Sequence, residues 1–233
     1  MRAQTLFKTD TLVFFDDFLD KNILPFRQHF PKMKSIHVPS NKRYTQILKG
    51  RPDRLYPVMF SRKYKANRFA RYLARTRSRL CMQCQNSTTQ GLSIPKMQEI
   101  IRWAKASDKP RTVLFDLDKT LLPNNFLFDD KDMGKVPHVF SFEDIAKYMA
   151  GTAERFDAVK SMFYHLRTNG VACKIFTDNG WALKDDHKEF NFFLQVMQVL
   201  DPHMLADDLI YGYRDKVNTF KRDKSLMKLY RAI

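Results

Sequence analysis

The sequence lacks any long hydrophobic run. A transmembrane helix needs about 20 consecutive, predominantly apolar residues, and the 233-residue chain contains no such segment. The apolar run from Thr11 to Phe15 is short and meets Asp16 and Asp17, whereas a secretory signal needs a longer apolar core and a cleavage site. We therefore expect a protein that is not inserted in a membrane, is not exported and is intracellular.

Cysteine is also scarce. The chain has three cysteines, an odd and small number that excludes a disulfide framework and fits a reducing compartment. Cys81 and Cys84 form a lone C-x-x-C pair, but a zinc site needs four ligands, and no second pair lies at ordinary spacing. Our interpretation is two small apolar residues in a turn, with metal or redox use as the less favoured alternative.

Acidic residues are rare in the first part of the chain. Residues 1–107 hold 22 Lys and Arg against 6 Asp and Glu, whereas residues 108–233 hold 19 of each, so the whole net charge of +16 lies upstream. An asymmetry of this kind indicates a negatively charged partner, either nucleic acid or an acidic protein. We divide the chain here, into a basic, mainly helical N-terminal extension (1–107) and a second domain (108–233).

The densest basic segment runs from Phe60 to Leu80. It holds eight basic residues and no acidic one, and its apolar residues fall near helical spacing. We predict a helix whose cationic face contacts nucleic acid or an acidic protein; a solvated helix face is the alternative. The predicted contact residues are Arg62, Lys63, Lys65, Arg68, Arg71 and Arg75.

Downstream of residue 108, apolar segments of strand length alternate with amphipathic segments of helix length. This order predicts an α/β domain with a doubly wound parallel sheet. The predicted strands are 111–117, 171–177 and 208–213, and the predicted helices are 154–169, about 184–200 and 218–232. Upstream, we predict helices at 12–24, 60–80 and 94–106.

The first chemical motif follows the strand that begins at Arg111. Asp116 and Asp118 lie two residues apart in F-D-L-D-K-T, and carboxylates this close repel one another and favour a hard cation with oxygen ligands. With Mg²⁺ offsetting phosphate charge, one carboxylate can attack phosphorus, while the other protonates the leaving oxygen and later activates water. In a parallel sheet, ligands bind at this end of the strands.

Two further features lie at strand ends. Thr177, Asp178 and Asn179 follow the strand that begins at Val171, and a hydroxyl with backbone N–H groups in a tight turn can hold phosphoryl oxygens. Lys216 follows the last predicted strand. A lysine at that point can neutralise charge on Asp116 and on a phosphoryl group.

The loop V-L-F-D-L-D-K-T-L-L resembles the active-site loop of the haloacid dehalogenase-like (HAD) superfamily, in particular its D-x-D-x-T phosphatases. The resemblance covers roughly residues 110–233 and implies a Mg²⁺-dependent phosphomonoester hydrolase with a Rossmann-like sheet. It implies Asp116 as nucleophile, Asp118 as general acid/base, both near the metal, and Thr120 as a loop-shaping residue at the substrate. It also implies Thr177 as a phosphate ligand and Lys216 as the third-motif cation.

One departure from the family pattern concerns the fourth motif, an acidic pair at the end of a further strand that completes the metal shell. Asp207 and Asp208 are the nearest candidates, but they precede their strand and so lie at its wrong end. We therefore expect a domain without this motif. A non-catalytic structural protein that binds nucleic acid or an acidic partner is the alternative.

The substrate class is suggested by the spacing of the motifs. Thr177 follows Asp116 by 61 residues and Lys216 follows Thr177 by 39, which leaves no room for a large lid domain. An open site suits a phosphorylated protein side chain or a polynucleotide end. A basic N-terminal part joined to a D-x-D-x-T domain is also similar to the 38K nucleocapsid-assembly proteins of baculoviruses and nudiviruses. That resemblance implies dephosphorylation of a basic, DNA-condensing protein, in the host nucleus and the virion nucleocapsid.

Overall fold

The fold is an α/β structure built on a five-stranded sheet in which all strands are parallel, in the order β2-β1-β3-β4-β5. The computed structural model describes residues 6–38, 91–106, 109–123, 141–185, 187–213 and 215–233. The strands are β1 (Leu12–Asp16), β2 (Lys34–His37), β3 (Arg111–Phe115), β4 (Val171–Thr177) and β5 (Leu209–Tyr211). This architecture is compatible with a Rossmann-like fold and confirms the predicted α/β class.

The described residues form seven helices. They are α1 (Leu24–His29), α2 (Ile94–Lys105), α3 (Phe142–Ala150), α4 (Ala153–Thr168), α5 (His187–Leu200), α6 (Lys216–Arg222) and α7 (Lys224–Arg231). Short helical turns lie at Leu19–Ile23, Gly180–Ala182 and Ala206–Asp208. Within these residues, no helix has both the length and the apolar character that crossing a bilayer requires.

The helices cover both faces of the sheet. Every residue of β1 and β3 is buried, which is why these strands have continuous apolar runs and no polar alternation. One face, with Val13 and Phe15, packs against the layer of α2, α3, α4 and α5. The other face, with Leu12 and Phe14, packs against α1, α6 and α7 through an aromatic cluster. The central strands are therefore fixed between two hydrophobic layers.

The helix predicted at 12–24 is wrong, because Leu12–Asp16 is a strand. It pairs with β2 on one side and with β3 on the other, Phe15 lying opposite Phe115. A short apolar run is compatible with a strand or with a helix, and the pairing on both sides decides between them here. The chain turns helical only after this strand, in the turn Leu19–Ile23 and in α1.

The predicted division near residue 108 is corrected for the residues that the structure describes. β1 and β2 come from the upstream part of the chain, yet they lie in the same sheet as the three downstream strands. The described upstream residues therefore complete the α/β domain and do not form a separate helical extension.

The helix predicted at 218–232 is two helices. Asp223 separates α6 from α7 and caps α7, its Oδ1 accepting from the backbone N–H groups of Ser225 and Leu226. The remaining predicted elements of the downstream part are present with small shifts of their ends. The predicted helix at 60–80, with Arg62, Lys63, Lys65, Arg68, Arg71 and Arg75, lies outside the described residues, as do Cys81 and Cys84.

Candidate active site

The carboxyl ends of β1, β3 and β4 form one site. Asp16 ends β1, Asp116 directly follows β3, and Thr177 ends β4. The Asp116 N–H donates to the carbonyl of Phe15 at 2.9 Å, which continues the ladder and sets the first two acidic segments side by side. Parallel strands in adjacent positions thus collect at one edge residues that are far apart in the sequence.

Asp116 is buried and held through both carboxylate oxygens. Its Oδ2 accepts from Thr120 Oγ1 at 2.9 Å, and its Oδ1 accepts from Lys216 Nζ at 2.6 Å. The loop that follows Asp116 is tight, with Lys119 at a φ of +63°, a left-handed conformation uncommon for a residue with a side chain. Thr120 therefore orients Asp116, which is consistent with its predicted loop-shaping position.

The loop after β3 is supported from behind by the segment that opens α2. The Leu92 N–H donates to the carbonyl of Thr120 at 2.7 Å, and Arg155 donates to the carbonyl of Leu121 at 3.2 Å. Gly91 has a φ of +71°, and a Cβ there would lie 2.6 Å from Arg155 Nη2 and 2.7 Å from the Thr120 carbonyl oxygen. Only glycine satisfies both conditions without displacing the loop.

Lys216 lies at the centre of the site, with a side chain that is 1% exposed. Its Nζ donates to Asp116 Oδ1 at 2.6 Å and to Asp16 Oδ2 at 2.7 Å. Gly212 makes room for the lysine stem, because a Cβ there would lie 2.5 Å from Asp178 Oδ1 and 2.7 Å from Lys216 Cγ. The predicted contact between this lysine and Asp116 is thus present.

The acidic pair Asp16 and Asp17 was not among the predicted site residues. Asp16 accepts from the Phe18 N–H at 2.7 Å and from the Asn22 side chain at 3.0 Å. Asp17 is also buried, and its Oδ1 has no hydrogen-bond partner among the described residues. Oxygen atoms of Asp16, Asp17 and Asp116 lie within 4.8 Å of one another. An acidic pair that the sequence analysis did not consider thus lies at the end of a strand beside Asp116.

Burial and the neighbouring charges together account for the pKa shifts of Asp116 and Lys216. Burial raises the pKa of Asp116, and the charge of Asp16 adds to the effect, while Lys216 opposes it. Burial alone would lower the pKa of Lys216, but the charges of Asp116 and Asp16 outweigh it and hold that pKa above its ordinary value. The carboxylates of Asp16 and Asp116 share the one ammonium group of Lys216. The positive charge of the lysine is therefore fully compensated, whereas the negative charge of each carboxylate is compensated only in part.

The cluster fits a divalent cation. Three carboxylates and one ammonium leave two negative charges when all are ionised, and Asp17 Oδ1 is a buried oxygen with no donor among the described residues. Mg²⁺ and Ca²⁺ favour carboxylate oxygens. An uncompensated buried carboxylate is costly, and a bound cation would remove that cost.

Asp118 is held by the neighbouring loop. Its Oδ2 accepts from Asn179 Nδ2 at 3.0 Å, which joins the loops after β3 and β4, and its charge helps to raise the pKa of Asp116. The three carboxylates that the described residues bring within 4.8 Å of one another are Asp16, Asp17 and Asp116. The metal role predicted for Asp118 stays a prediction.

The loop after β4 holds the other predicted site residues. Thr177 is buried, and its Oγ1 accepts from the Asn179 N–H at 3.1 Å. Asp178 accepts from Lys21 Nζ at 2.9 Å, which joins this loop to the turn after β1. The structure thus brings together the predicted residues Asp116, Asp118, Thr120, Thr177, Asp178, Asn179 and Lys216.

Asp207 and Asp208 are confirmed to lie at the wrong end of their strand. They precede β5, and Asp208 contacts Arg167 at 3.0 Å and Lys174 at 3.3 Å. A signal for Asp16 and Asp17 is visible in the sequence, because L-V-F-F-D-D repeats the apolar-run-then-acid pattern of V-L-F-D-L-D.

Comparison of the chain with protein-family models, curated proteins and solved structures gave no match.

The pKa of Asp17 predicts a pH-dependent effect of Asp17→Asn. Burial and the neighbouring Asp16 raise this pKa from 3.8 to about 6, so over that range the folded state holds a proton that the unfolded chain has released. Stability from this group therefore falls as pH rises from about 4 to about 6 and is constant above. The free energy of unfolding of Asp17→Asn and of the wild type is measured by chemical unfolding at pH 4 and pH 7, in the presence of a chelator. The variant should be more stable relative to the wild type at pH 7 than at pH 4. An equal difference at both pH values would contradict the burial of an ionising Asp17.

Proposed function

We propose that the chain is a Mg²⁺-dependent phosphomonoester hydrolase of the HAD-like, D-x-D-x-T type, with Asp116 as its nucleophile. The observation that carries the proposal is the contact of Lys216 Nζ with Asp116 at 2.6 Å and with Asp16 at 2.7 Å, although these pairs are 100 and 200 residues apart in sequence. Buried titratable groups with shifted pKa values that converge at the ligand-binding edge of a parallel sheet are typical of a catalytic site.

In this proposal the four motifs of the family are all represented, but their order along the chain differs. The resemblance names an acidic pair at the end of a further strand. Asp16 ends β1 and Asp17 directly follows it, and β1 pairs directly with β3. The acidic pair therefore precedes the nucleophile loop in sequence. The basis for the non-catalytic alternative was the lack of such a pair, so we favour the enzyme.

The proposed first step is a transfer of the phosphoryl group to Asp116. A carboxylate oxygen of Asp116 attacks phosphorus while the bond to the leaving oxygen breaks, and Asp118 gives its proton to that oxygen. Thr120 and Lys216 hold the attacking carboxylate in one orientation. In this proposal, Lys216 and the Thr177 turn offset charge on the phosphoryl oxygens.

The second step reverses these roles. Asp118, now ionised, takes a proton from water, the water oxygen attacks phosphorus, and the bond to Asp116 breaks, which releases phosphate and restores both carboxyl groups. Asn179 positions Asp118 from the neighbouring loop at 3.0 Å. Asp16 acts on Asp116 indirectly, because it shares Lys216 with it.

Asp17 and Asp116 would hold the Mg²⁺ ion, with Asp16 close by. Bound there, Mg²⁺ supplies electrostatic stabilisation of phosphoryl charge. The engaged oxygens of Asp16 already accept from Asn22, Phe18 N–H and Lys216. We therefore assign Asp16 mainly to positioning of the lysine and Asp17 to the ion.

A basic phosphoprotein is the proposed substrate, in line with the resemblance to nucleocapsid-assembly proteins. Asp118 and Asp178 are partly exposed in the loops after β3 and β4, where Lys21 contacts Asp178. Two aromatic residues of the neighbouring loops are exposed, Phe18 at 50% and Tyr213 at 63%. Carboxylates and aromatic rings of this kind can contact the cations of a basic polypeptide. The proposed setting is a nucleic-acid-associated phosphoprotein in nucleocapsid assembly.

The leaving group provides the sharpest test of the proposed acid. Asp118→Asn should slow hydrolysis of a phosphoserine peptide by about 10²–10⁴-fold, because a serine alkoxide leaves poorly without a proton. For an aryl phosphate, whose phenolate leaves without a proton, the rate of the first step should fall much less in this variant. That first step is measured as a burst of released phenol. Asp157→Asn, an exposed change on α4, is the control. Equal losses of the first step on both substrates would contradict the assignment.

A further inference from the structure

The exposed side of α6 and α7 carries mostly positive charge. Residues 216–233 contain six basic residues and one acidic residue, and the exposed Asp215, which caps α6, adds one carboxylate near Arg222. Five of the six are exposed and form what we term the basic face: Lys221, Arg222, Lys224, Lys228 and Arg231. The sixth, Lys216, is the buried lysine of the site. The basic face thus lies on a pair of helices of which the first begins at the active-site edge of the sheet.

The single acidic residue of this stretch is already engaged. Asp223 Oδ1 accepts from the N–H groups of Ser225 and Leu226 and from Ser225 Oγ, between 2.6 and 3.0 Å. Its charge therefore stabilises the first turn of α7. Lys221 Nζ lies 3.4 Å from His29 Nδ1 of α1. The side chain of His29 therefore lies beside the basic face.

The basic face rests on a rigid support. Beneath it, Phe220 of α6 packs on Phe30 with ring centres 4.5 Å apart, and Tyr230 of α7 packs on Phe30 at 5.2 Å. Leu226 is fully buried. These contacts hold α1, α6 and α7 as one layer, so the positions of the five cations relative to one another are set by packed helices.

The opposite layer of the molecule differs in charge pattern. There Lys96 pairs with Glu99 at 2.8 Å, and Lys147 pairs with Glu143 at 2.6 Å. Helix α4 alternates acidic and basic residues, including Glu154, Asp157 and Lys160. Among the described helices, mostly positive charge over two successive helices is therefore a property of α6 and α7.

We propose that the basic face binds the phosphate backbone of nucleic acid. A rigid surface with five exposed cations fits a polyanion with regularly spaced charges, and such binding is driven by counterion release. The described residues of this face form no base-reading motif, so the binding is expected to be independent of sequence. It goes beyond the proposed hydrolase, because the basic face lies on the exposed side of α6 and α7 and contains none of the residues assigned to the hydrolase.

The test uses the full chain with two triple variants of equal charge change. The first is Lys224→Gln, Lys228→Gln and Arg231→Gln on the basic face. The matched control is Lys105→Gln, Lys160→Gln and Arg102→Gln, all exposed on the opposite layer. Binding of a fluorescein-labelled duplex DNA is followed by anisotropy over a range of salt concentrations. Circular dichroism and the unfolding midpoint verify that both variants fold.

The basic-face variant should bind DNA more weakly, and its salt dependence should fall by about 0.9 in slope for each phosphate that the protein no longer neutralises. The control should change little. Equal losses in both variants would mean that only net charge acts, and no loss in either would place the DNA-binding surface elsewhere; each outcome overturns the proposal. Loss of binding to labelled polyglutamate with DNA binding retained would identify a protein surface and overturn it too. Aryl phosphate turnover should stay unchanged in both variants, so failure of this proposal is distinguishable from failure of the hydrolase.

Discussion

Asp116→Asn is expected to abolish phosphate release from both an aryl phosphate and a phosphoserine peptide. An amide cannot form the proposed acyl phosphate. The rate of phosphate release should therefore fall by more than about 10³-fold relative to the wild type on both substrates. The substitution hardly changes the side-chain volume, and Thr120 and Lys216 remain to hold the side chain. Steady-state phosphate release with excess Mg²⁺ is the measurement.

The control for this variant is Asp157→Asn on the exposed side of α4, which should retain full activity. Because Asp116→Asn removes a buried charge whose pKa is raised, the variant should also be at least as stable as the wild type near neutral pH in chelator. A folded Asp116→Asn protein with more than a tenth of wild-type turnover would exclude Asp116 as the nucleophile.

Lys216→Met is expected to have the largest effect on stability. Removing one partner of a buried ion pair leaves uncompensated charge and typically costs about 3–5 kcal/mol, and here two carboxylates lose their shared cation. The cost should be greatest at high pH, where the buried Asp116 carboxylate is ionised without its counter-ion. It should shrink as pH falls, because burial raises the pKa of Asp116 and that carboxyl group then binds a proton in the folded state.

Chemical unfolding of Lys216→Met in chelator at two pH values measures this effect. Lys221→Met, an exposed change on the same helix, is the control and should stay within about 0.5 kcal/mol of the wild type. A loss below about 1 kcal/mol for Lys216→Met at pH 8 would show that the lysine is not the buried counter-ion of this site.

The strands and loops that carry local signals could be predicted from the sequence. Arg111–Phe115 and Val171–Thr177 are apolar runs of strand length that end at polar turns, so both the strand and the position of Asp116 and Thr177 at its end followed from the pattern. Lys216 could be placed near Asp116 only because it follows a third strand. Its actual contacts, two carboxylates 100 and 200 residues away, depend on the order of strands in the sheet.

The pairing of strands far apart in the sequence could not be predicted. The run that ends at Asp16 is five residues long, too short for periodicity to separate strand from helix. The upstream charge excess also led to a boundary at residue 108, although charge composition says little about which strands share a sheet. Because β1 pairs with β3, Asp16 and Asp17 lie beside Asp116, in the cluster that could hold a metal ion.

The assignment of the acidic pair to the end of β1 can be tested by one comparison. Mg²⁺-dependent phosphate release is measured for the wild type, for Asp17→Asn and for Asp207→Asn, which alters the exposed acid before β5. If Asp17 holds the ion, Asp17→Asn lowers turnover and raises the Mg²⁺ concentration needed for half-maximal rate by at least about 10-fold. Asp207→Asn should match the wild type in both. Unchanged Mg²⁺ dependence in a folded Asp17→Asn protein, or a loss in Asp207→Asn instead, would contradict the assignment.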